Sequence, residues 1–200
     1  LGMAVSDIST LDRLFIVGSF FRKDHPLMAQ RVRQAIKKGL KLSVLNPAFD
    51  DWQLSIENKI CVAPIEMVAG LARIIKAVAD ETNQAISCDF VDLCAQVSVD
   101  DESLAVARSL ASGRRSAIWL GNYAVQHKNA AQIHALSQEI ARLVNCAFGV
   151  IGEAANSVGG YLAGAVPYGL IEGKNAAQML STPLKAYILA GVEPDLDIAD

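Results

Sequence analysis

The chain has 200 residues, of which 52% are hydrophobic and 20% are charged, and its formal net charge is -3. This length and composition allow a sizeable core and argue against intrinsic disorder. The acidic balance argues against a nucleic-acid partner, because phosphate recognition needs clustered basic residues. The short basic pairs, such as Arg22-Lys23, are typical of solvated helix or loop ends. No run of 18 or more apolar residues is present, so we expect no direct insertion into a membrane.

The cysteines carry no sign of a metal site. They form no Cys-x-x-Cys motif and no pairing with histidine at ligand spacing. Their apolar neighbours predict buried, reduced thiols in a cytoplasmic protein at all four positions, Cys61, Cys88, Cys94 and Cys146. The chain begins with Leu-Gly-Met and ends in an acidic tail, which we interpret as a piece cut from a longer polypeptide.

Residues 13–47 form the clearest structural unit in the sequence. The apolar run 14–17 and a second run, 42–45, predict two buried parallel strands. Between them, apolar residues at helical spacing predict a helix that begins near Pro26 and ends before Gly39. A strand-helix-strand unit of about 30 residues is the building block of nucleotide-binding folds.

The rest of the chain continues this alternation. The patterns predict three further helices: one at 65–79, one that starts within 98–102 and ends at Gly113, and one at 127–144. They also predict two further strands, at 116–120 and 147–151. Alternating strands and helices predict an α/β fold, doubly wound, with a mainly parallel sheet and helices on both faces. We expect a single domain that spans residues 1–200.

Four segments depart from the alternation. Residues 48–63 and 80–99 predict irregular connections, although 59–63 is compatible with a short strand and 80–99 with a helix. Residues 152–184 are rich in glycine and predict a loop region, within which 174–180 is compatible with a short helix that Pro183 ends. They lead to a last predicted strand at 185–190.

Ligands of parallel α/β sheets bind at the carboxyl ends of the strands. The small and polar residues there form a candidate rim for cofactor binding: Gly18, Ser19, Asn46, Gly121, Asn122, Gly152, Asn156, Ser157 and Gly159. The sequence has no Gly-x-Gly-x-x-Gly after a strand and no Walker-type motif, so no motif specifies a dinucleotide or a triphosphate.

Catalytic constellations are sparse in the sequence. His25 stands at a helix start, where capping or packing is the favoured role, and His127 and His134 lie on the wet side of one helix. Glu153 is the single carboxylate at the predicted rim. We therefore predict no catalytic residue and no metal ligand.

Two stretches carry a family resemblance. Leu-Phe-Ile-Val-Gly-Ser-Phe-Phe-Arg-Lys-Asp-His-Pro from Leu14, with Ser-Val-Leu-Asn-Pro ending at Pro47, resembles the third-domain region of molybdopterin oxidoreductases. The later Gly-Glu-Ala-Ala-Asn-Ser-Val-Gly-Gly from Gly152, with Lys-Ala-Tyr-Ile-Leu-Ala-Gly-Val-Glu-Pro from Lys185, is similar to one family of respiratory proteins. That family is the large peripheral-arm subunit of bacterial NADH-quinone oxidoreductase. The whole enzyme is also called complex I.

The resemblance implies a role and a place for the chain. It implies iron-sulfur clusters elsewhere in the full-length subunit, with no cofactor in this fragment. It also implies other peripheral-arm subunits as partners, on the cytoplasmic side of the bacterial inner membrane and peripheral to it. The full complex would be a proton-translocating NADH:quinone oxidoreductase, and this fragment alone a structural and assembly domain without catalytic activity.

The sequence departs from the molybdoenzyme pattern at both strand ends. The chain has Ser19-Phe20-Phe21 where the family favours Asn-Pro, and Asn46-Pro47-Ala48 where it favours Asp-Pro-Arg. These changes remove hydrogen-bonding groups for a guanine and a phosphate, and the phenylalanines add bulk.

Two alternatives remain open at this stage. The chain is also compatible with a functional domain that binds a molybdopterin dinucleotide or another nucleotide cofactor, as in an authentic molybdoenzyme. Residues 103–151 also resemble the central domain of thiamine-diphosphate enzymes, a similarity that is generic to doubly wound folds.

Overall fold

A computed structural model describes residues 1–153, 156–165 and 173–197 of the chain. The chain divides into two compact units, Leu1–Glu153 and Ala154–Asp200, which are described separately below. This division differs from the expected single domain over 1–200. Its physical reason is that every strand and both apolar cores of the described chain lie in the first unit.

The first unit is built on a five-stranded sheet. The strands are β1 (Arg13–Val17), β2 (Lys41–Asn46), β3 (Asn58–Cys61), β4 (Ser116–Leu120) and β5 (Ala147–Val150). Their order is β3-β2-β1-β4-β5, and every neighbouring pair is parallel. Helices cover both faces, so the predicted doubly wound α/β fold is confirmed. The order of the strands reverses between β1 and β4, which places a topological switch point there.

The helices of the first unit follow from the predicted patterns. Before β3 lie α1 (Phe21–Asp24) and α2 (Pro26–Ile36), and after it α3 (Met67–Thr82), α4 (Cys88–Ala95) and α5 (Asp101–Ala111). After β4 lie α6 (Asn122–Val125) and α7 (Ala130–Val144). Short 3-10 helices cover Val5–Thr10 and Pro64–Glu66.

Side chains of β1 alternate between two cores, one on each face of the sheet. Phe15 and Val17 enter the core formed with α3, α5 and α7. Leu14 and Ile16 enter the opposite core, which α2 and the first 3-10 helix help to cover. This period of two on a fully buried strand explains why its sequence is continuously apolar.

Two connections are more ordered than their sequences predict. Within 48–63, residues 58–61 form β3, which pairs with β2. Within 80–99, Cys88–Ala95 forms α4, which packs on α3. In both segments, tertiary partners stabilise elements whose local pattern is weak.

Residues 47–57 cross between parallel strands without a helix. Trp52 is 2% exposed and packs into the core on the α2 face. Leu54, Ile56 and Phe49 pack against the same core. Apolar side chains of an irregular segment therefore cover the sheet where a crossover helix is usual.

The thiols are less uniformly buried than predicted. All four cysteines are free, but Cys61 and Cys88 are exposed, and Cys94 alone is fully buried. Cys61 lies on the edge strand β3, where alternate side chains face water. Cys88 begins the short helix α4, which buries little of its surface.

The second unit contains short helices, α8 (Ser157–Leu162), α9 (Ala176–Ser181) and α10 (Pro194–Asp197). The predicted loop region 152–184 thus contains two helices, of which α9 overlaps the short helix predicted at 174–180. Residues 154–155 and 166–172 of the region lie outside the described residues. The predicted strand at 185–190 is wrong: these residues are irregular and exposed. A strand needs a hydrogen-bonding neighbour, and the described residues provide none there.

Among the described residues, no helix is long and apolar enough to cross a membrane.

Candidate functional site at the carboxyl edge of the sheet

Six of the predicted rim residues lie at one edge of the sheet. Val17 is the register partner of both Leu45 and Leu120, so β1, β2 and β4 end at the same level. The next residues along these strands, Gly18, Asn46 and Gly121, therefore lie together. Ser19 and Asn122 follow directly in the loops after β1 and β4. Gly152 follows β5, whose last residue, Val150, is the register partner of Leu120. The role of these six residues in cofactor binding stays a prediction.

The loops after β1 and β4 make very close contact at the switch point. The N–H of Gly121 donates to Val17 O at 2.9 Å, and the N–H of Ala124 donates to Gly18 O at 3.1 Å. A Cβ on Gly121 would lie 2.2 Å from the Ser19 Cβ. Gly18 has φ +61°, and a Cβ there would lie 2.6 Å from Ala124 N. Glycine is required at both positions, because the two loops pack against each other there.

Asn46 is committed to holding the two loops together. Its Oδ1 accepts from the Ser19 N–H at 2.9 Å, and its Nδ2 donates to Ser19 O at 2.6 Å. Both residues are fully buried. This pair of hydrogen bonds extends the ladder between β1 and β2 by one step. One N–H and one lone pair of the amide remain, but the side chain is fully buried between the two loops.

Aromatic side chains close the edge on both sides. Phe21 is fully buried, with ring centroids 5.8 Å from Trp52 and 6.4 Å from Trp119. On the other side, Phe20 meets Tyr123 edge to face at 6.5 Å. Such aromatic pairs stabilise beyond their buried area. The bulk predicted at Phe20 and Phe21 is thus part of a packed aromatic cluster.

The histidines near the edge hold loops. His25 Nε2 lies 3.0 Å from Gly152 O, and its ring packs on Phe21. His25 is the N-cap residue of α2, but its side chain makes no capping hydrogen bond. His127 Nδ1 accepts the N–H of Asn129 at 3.0 Å, and its Nε2 lies 3.1 Å from Pro64 O. With Nδ1 accepting, the Nε2–H donates to the Pro64 carbonyl.

The polar groups at the edge differ in whether they have a partner. Glu153 accepts from Gln126 Nε2 at 2.6 Å. Asn122 Oδ1 and Ser19 Oγ are buried without a hydrogen-bond partner among the described residues. His134 lies away from these groups, with its ring edge-on to Phe148 at 5.1 Å.

The remaining predicted rim residues belong to the second unit. Asn156, Ser157 and Gly159 lie at the start of α8. A Cβ on Gly159 would lie 2.3 Å from Asn156 Oδ1, so the asparagine side chain covers the first turn of that helix.

The shifted pKa values of the described chain lie away from the rim. Hydrogen bonds from Arg142, and further ones from Ser87, lower the pKa of Glu139 to about 2. Burial raises the pKa of the Cys146 thiol to about 12, and burial also raises that of Cys94. High thiol pKa values make these cysteines poor nucleophiles. No group of three or more potential metal-ligating side chains occurs in the described residues.

Sequence reasoning missed a basic cavity beside the edge. Arg22 and Lys23 line it with Arg33 and Trp52. The sequence predicted only a solvated helix or loop end for Arg22-Lys23. What brings them together is the irregular crossing 47–57, whose path is not encoded in any local periodicity.

The fold and this edge define a doubly wound α/β domain, the architecture that many nucleotide-binding proteins share. No family model matches the chain. The chain is similar to the F420-dependent formate dehydrogenase 1 subunit alpha of Methanococcus maripaludis. The two are 32% identical over 78 residues, which is 39% of this chain and 12% of that subunit. Part of the chain is thus distantly similar to an oxidoreductase subunit, and the match spans a small part of that relative.

Proposed function

We propose that the chain is a non-catalytic structural and assembly domain of a respiratory NADH:quinone oxidoreductase. In this proposal it belongs to a protein similar to the large peripheral-arm subunit of complex I, and the iron-sulfur clusters lie elsewhere in that protein. Its partners are other peripheral-arm subunits, and it lies on the cytoplasmic side of the bacterial inner membrane without entering it.

One observation carries the proposal: the carboxyl edge of the sheet is occupied by the protein's own groups. The Asn46 side chain bonds both backbone groups of Ser19, and the glycines at the switch point leave no room even for a methyl group. Phe21 is fully buried at the edge and shields the residues around it from water. The residues present therefore do not fit a pterin dinucleotide.

The resemblance to the large peripheral-arm subunit of complex I and the distant similarity to a formate dehydrogenase subunit support the same account. A structural domain that descends from a cofactor-binding domain is expected to keep the fold and to lose the open ligand-binding edge. A closed edge on a fold of this class agrees with that expectation.

The second candidate is a functional domain for a pterin or another nucleotide cofactor. The similarity to a formate dehydrogenase subunit favours it, as does the unpartnered, buried Asn122 Oδ1 at the edge. In that case a dinucleotide would have to displace the hydrogen bonds between Asn46 and Ser19. The cost of leaving those buried groups unpaired weighs against this candidate.

Affinity purification of the tagged full-length subunit tests the proposal. We expect other peripheral-arm subunits of complex I to co-purify with it, and removal of residues 1–153 to reduce their recovery. A matched sample with Ser19→Ala, which changes only a buried hydroxyl at the edge, should recover them fully. Absence of those subunits from the full-length sample would contradict the proposal, as would pterin or molybdenum in its absorption spectrum and metal analysis.

A further inference from the structure

A cavity of about 370 Å³ lies between α2 and the crossing 47–57. Arg22 and Lys23 of α1 and Arg33 of α2 contribute three cationic side chains to its wall, and none of its lining residues is acidic. None of the predicted rim residues lines it either. The volume lies within the usual range of small-ligand sites.

Nearby carboxylates offset part of this charge. Asp50 Oδ2 pairs with Lys23 Nζ at 3.1 Å. Asp24 and Asp51 keep their negative charge while they accept the N–H groups of Phe20 and Gln53, respectively. The two arginines of the cavity have no ion-pair partner within the described part of the chain.

Arg33 is held in place before any ligand arrives. Its Nε and Nη2 donate to the Gln53 carbonyl oxygen at 3.2 and 2.8 Å. Gln53 itself has φ +50°, a conformation that non-glycine residues rarely adopt. A preorganised guanidinium loses less side-chain entropy when it binds an oxyanion.

Two buried donors in the cavity wall lack acceptors. Trp52 is 2% exposed, and its Nε1–H has no hydrogen-bond partner in the described chain. The same holds for Arg22 Nε. Buried donors are usually paired. Both carboxylate oxygens of Asp50, two residues from Trp52, are also buried without a hydrogen-bond partner, so the chain holds an unused acceptor of its own. The two unpaired donors mark groups that the oxygen of a ligand would satisfy.

Part of the wall is apolar. Pro26, Ala29 and Leu54 line it together with the Trp52 ring. An anionic group at the arginines would therefore leave the rest of a small ligand against a carbon surface.

We propose that this cavity binds a small organic oxyanion, a phosphate monoester or a carboxylate carried on a compact apolar body. The guanidinium groups of Arg22 and Arg33 bind the oxygens, and the apolar wall contacts the body. The proposal goes beyond the assembly role and does not depend on it.

Titration calorimetry of the 200-residue chain with inorganic phosphate, pyrophosphate, phenyl phosphate and benzoate tests this site. We expect saturable binding that weakens at high salt. Comparison of phenyl phosphate with benzoate shows whether the site prefers a phosphate or a carboxylate, because both ligands carry the same apolar ring. Phenyl phosphate should bind more tightly than inorganic phosphate, because its ring contacts the apolar wall. Arg22→Gln and Arg33→Gln should each weaken binding about tenfold or more. The matched control is Arg31→Gln on the exposed face of α2, which should leave the affinity unchanged.

Tryptophan fluorescence gives a second readout. In a Trp119→Phe background the remaining Trp52 should report phenyl phosphate through a saturable change in emission. Circular dichroism verifies that each variant is folded. Arg33→Gln loses the hydrogen bonds to Gln53 and is the variant more exposed to misfolding. If it does not fold, Arg22→Gln alone still tests the proposal. An absence of saturable binding at millimolar ligand would overturn the proposal. So would equal losses in all three arginine variants, or binding only of an acidic peptide. None of these results would bear on co-purification with complex I subunits.

Discussion

At the scale of single residues, Asn46 decides what the carboxyl edge of the sheet can do. Its amide both donates to and accepts from the backbone of Ser19, which a carboxylate cannot do because it has no donor when ionised. With an aspartate at this position, a carboxylate oxygen would replace the Nδ2 donor. It would then lie about as close to the Ser19 carbonyl oxygen as Nδ2 does now, and the two oxygens would repel each other. The residue that the molybdoenzyme pattern favours is thus incompatible with this packing.

Asn46→Asp is therefore expected to lower the free energy of unfolding by about 3 kcal/mol at neutral pH, because it buries an unmatched charge. Denaturant unfolding followed by circular dichroism measures the change. Asn175→Asp is the control, because its exposed side chain caps α9 and an aspartate accepts the same hydrogen bond. Equal stability of the two variants would show that Asn46 does not hold the loops.

Gly121 makes a second residue-scale prediction. Its φ of -94° suits any residue, so the requirement for glycine is purely steric. Gly121→Ala should destabilise the chain by about 1–3 kcal/mol, because the new methyl group meets Ser19 and the Gly18 carbonyl. Gly160→Ala, where a Cβ would meet nothing within 4 Å, should leave the thermal midpoint unchanged. A neutral Gly121→Ala would mean that the crevice has room for a ligand.

At the scale of elements, Glu139 fastens the start of α4 to α7. Its carboxylate accepts from the Ser87 N–H at 2.8 Å and from the Ser87 hydroxyl at 2.9 Å. Arg142, one turn further along α7, donates to it and also to Ala85 O. This network explains why the weakly patterned segment 80–99 has a fixed structure.

The network makes stability depend on pH in a defined window. The pKa of Glu139 falls from an ordinary 4.5 to about 2 in the folded chain, chiefly through Arg142. Its ionised form therefore contributes about 3 kcal/mol above pH 4.5, and this contribution disappears as the pH falls toward 2.

Glu139→Gln should be less stable than the parent chain at pH 7, and the difference should shrink steadily between pH 4.5 and pH 2. Urea unfolding at several pH values measures this, with Glu102→Gln, an exposed acid on α5, as the control. A difference that stayed constant over this range would contradict the assignment.

The elements that were predicted correctly are those that are largely buried, because burial requires an apolar pattern in their own residues. β1 and β4 are buried on both faces, and α3 buries most of its surface, so their residues alone determine the pattern. The strand predicted at 185–190 failed because strand formation depends on a neighbour, which no local run of apolar residues reveals. β3 was similarly uncertain, since its pairing with β2 supplies most of its stability.

The candidate site divides in the same way. Strand ends followed by glycine or a polar residue identified the edge, because register in a parallel sheet brings them to one level. The reciprocal bonds of Asn46 and the basic cavity were not predictable. Both depend on loop paths that bring residues distant in sequence into hydrogen-bonding contact.

At the scale of the whole molecule, the first unit contains everything that a folded domain needs. All five strands and both apolar cores lie within Leu1–Glu153. None of the described residues of the second unit is buried, although several are large and apolar, including Leu162 and Ile188.

A chain of residues 1–153 should therefore fold on its own, with the same cooperative thermal transition as the full 200 residues. Differential scanning calorimetry and circular dichroism of both chains test this. A midpoint lowered by more than about 5 °C, which for a domain of this size exceeds 1 kcal/mol, would mean that the second unit stabilises the first.

The most direct test of the account is a calorimetric titration of a guanine dinucleotide into the chain that carries Arg22→Gln and Arg33→Gln. These substitutions remove the basic cavity as a source of phosphate binding and leave the carboxyl edge intact. A closed edge predicts no measurable heat of binding, and an absorption spectrum of the purified chain without a pterin band. Saturable binding at micromolar affinity would contradict the account and establish the edge as a working cofactor site.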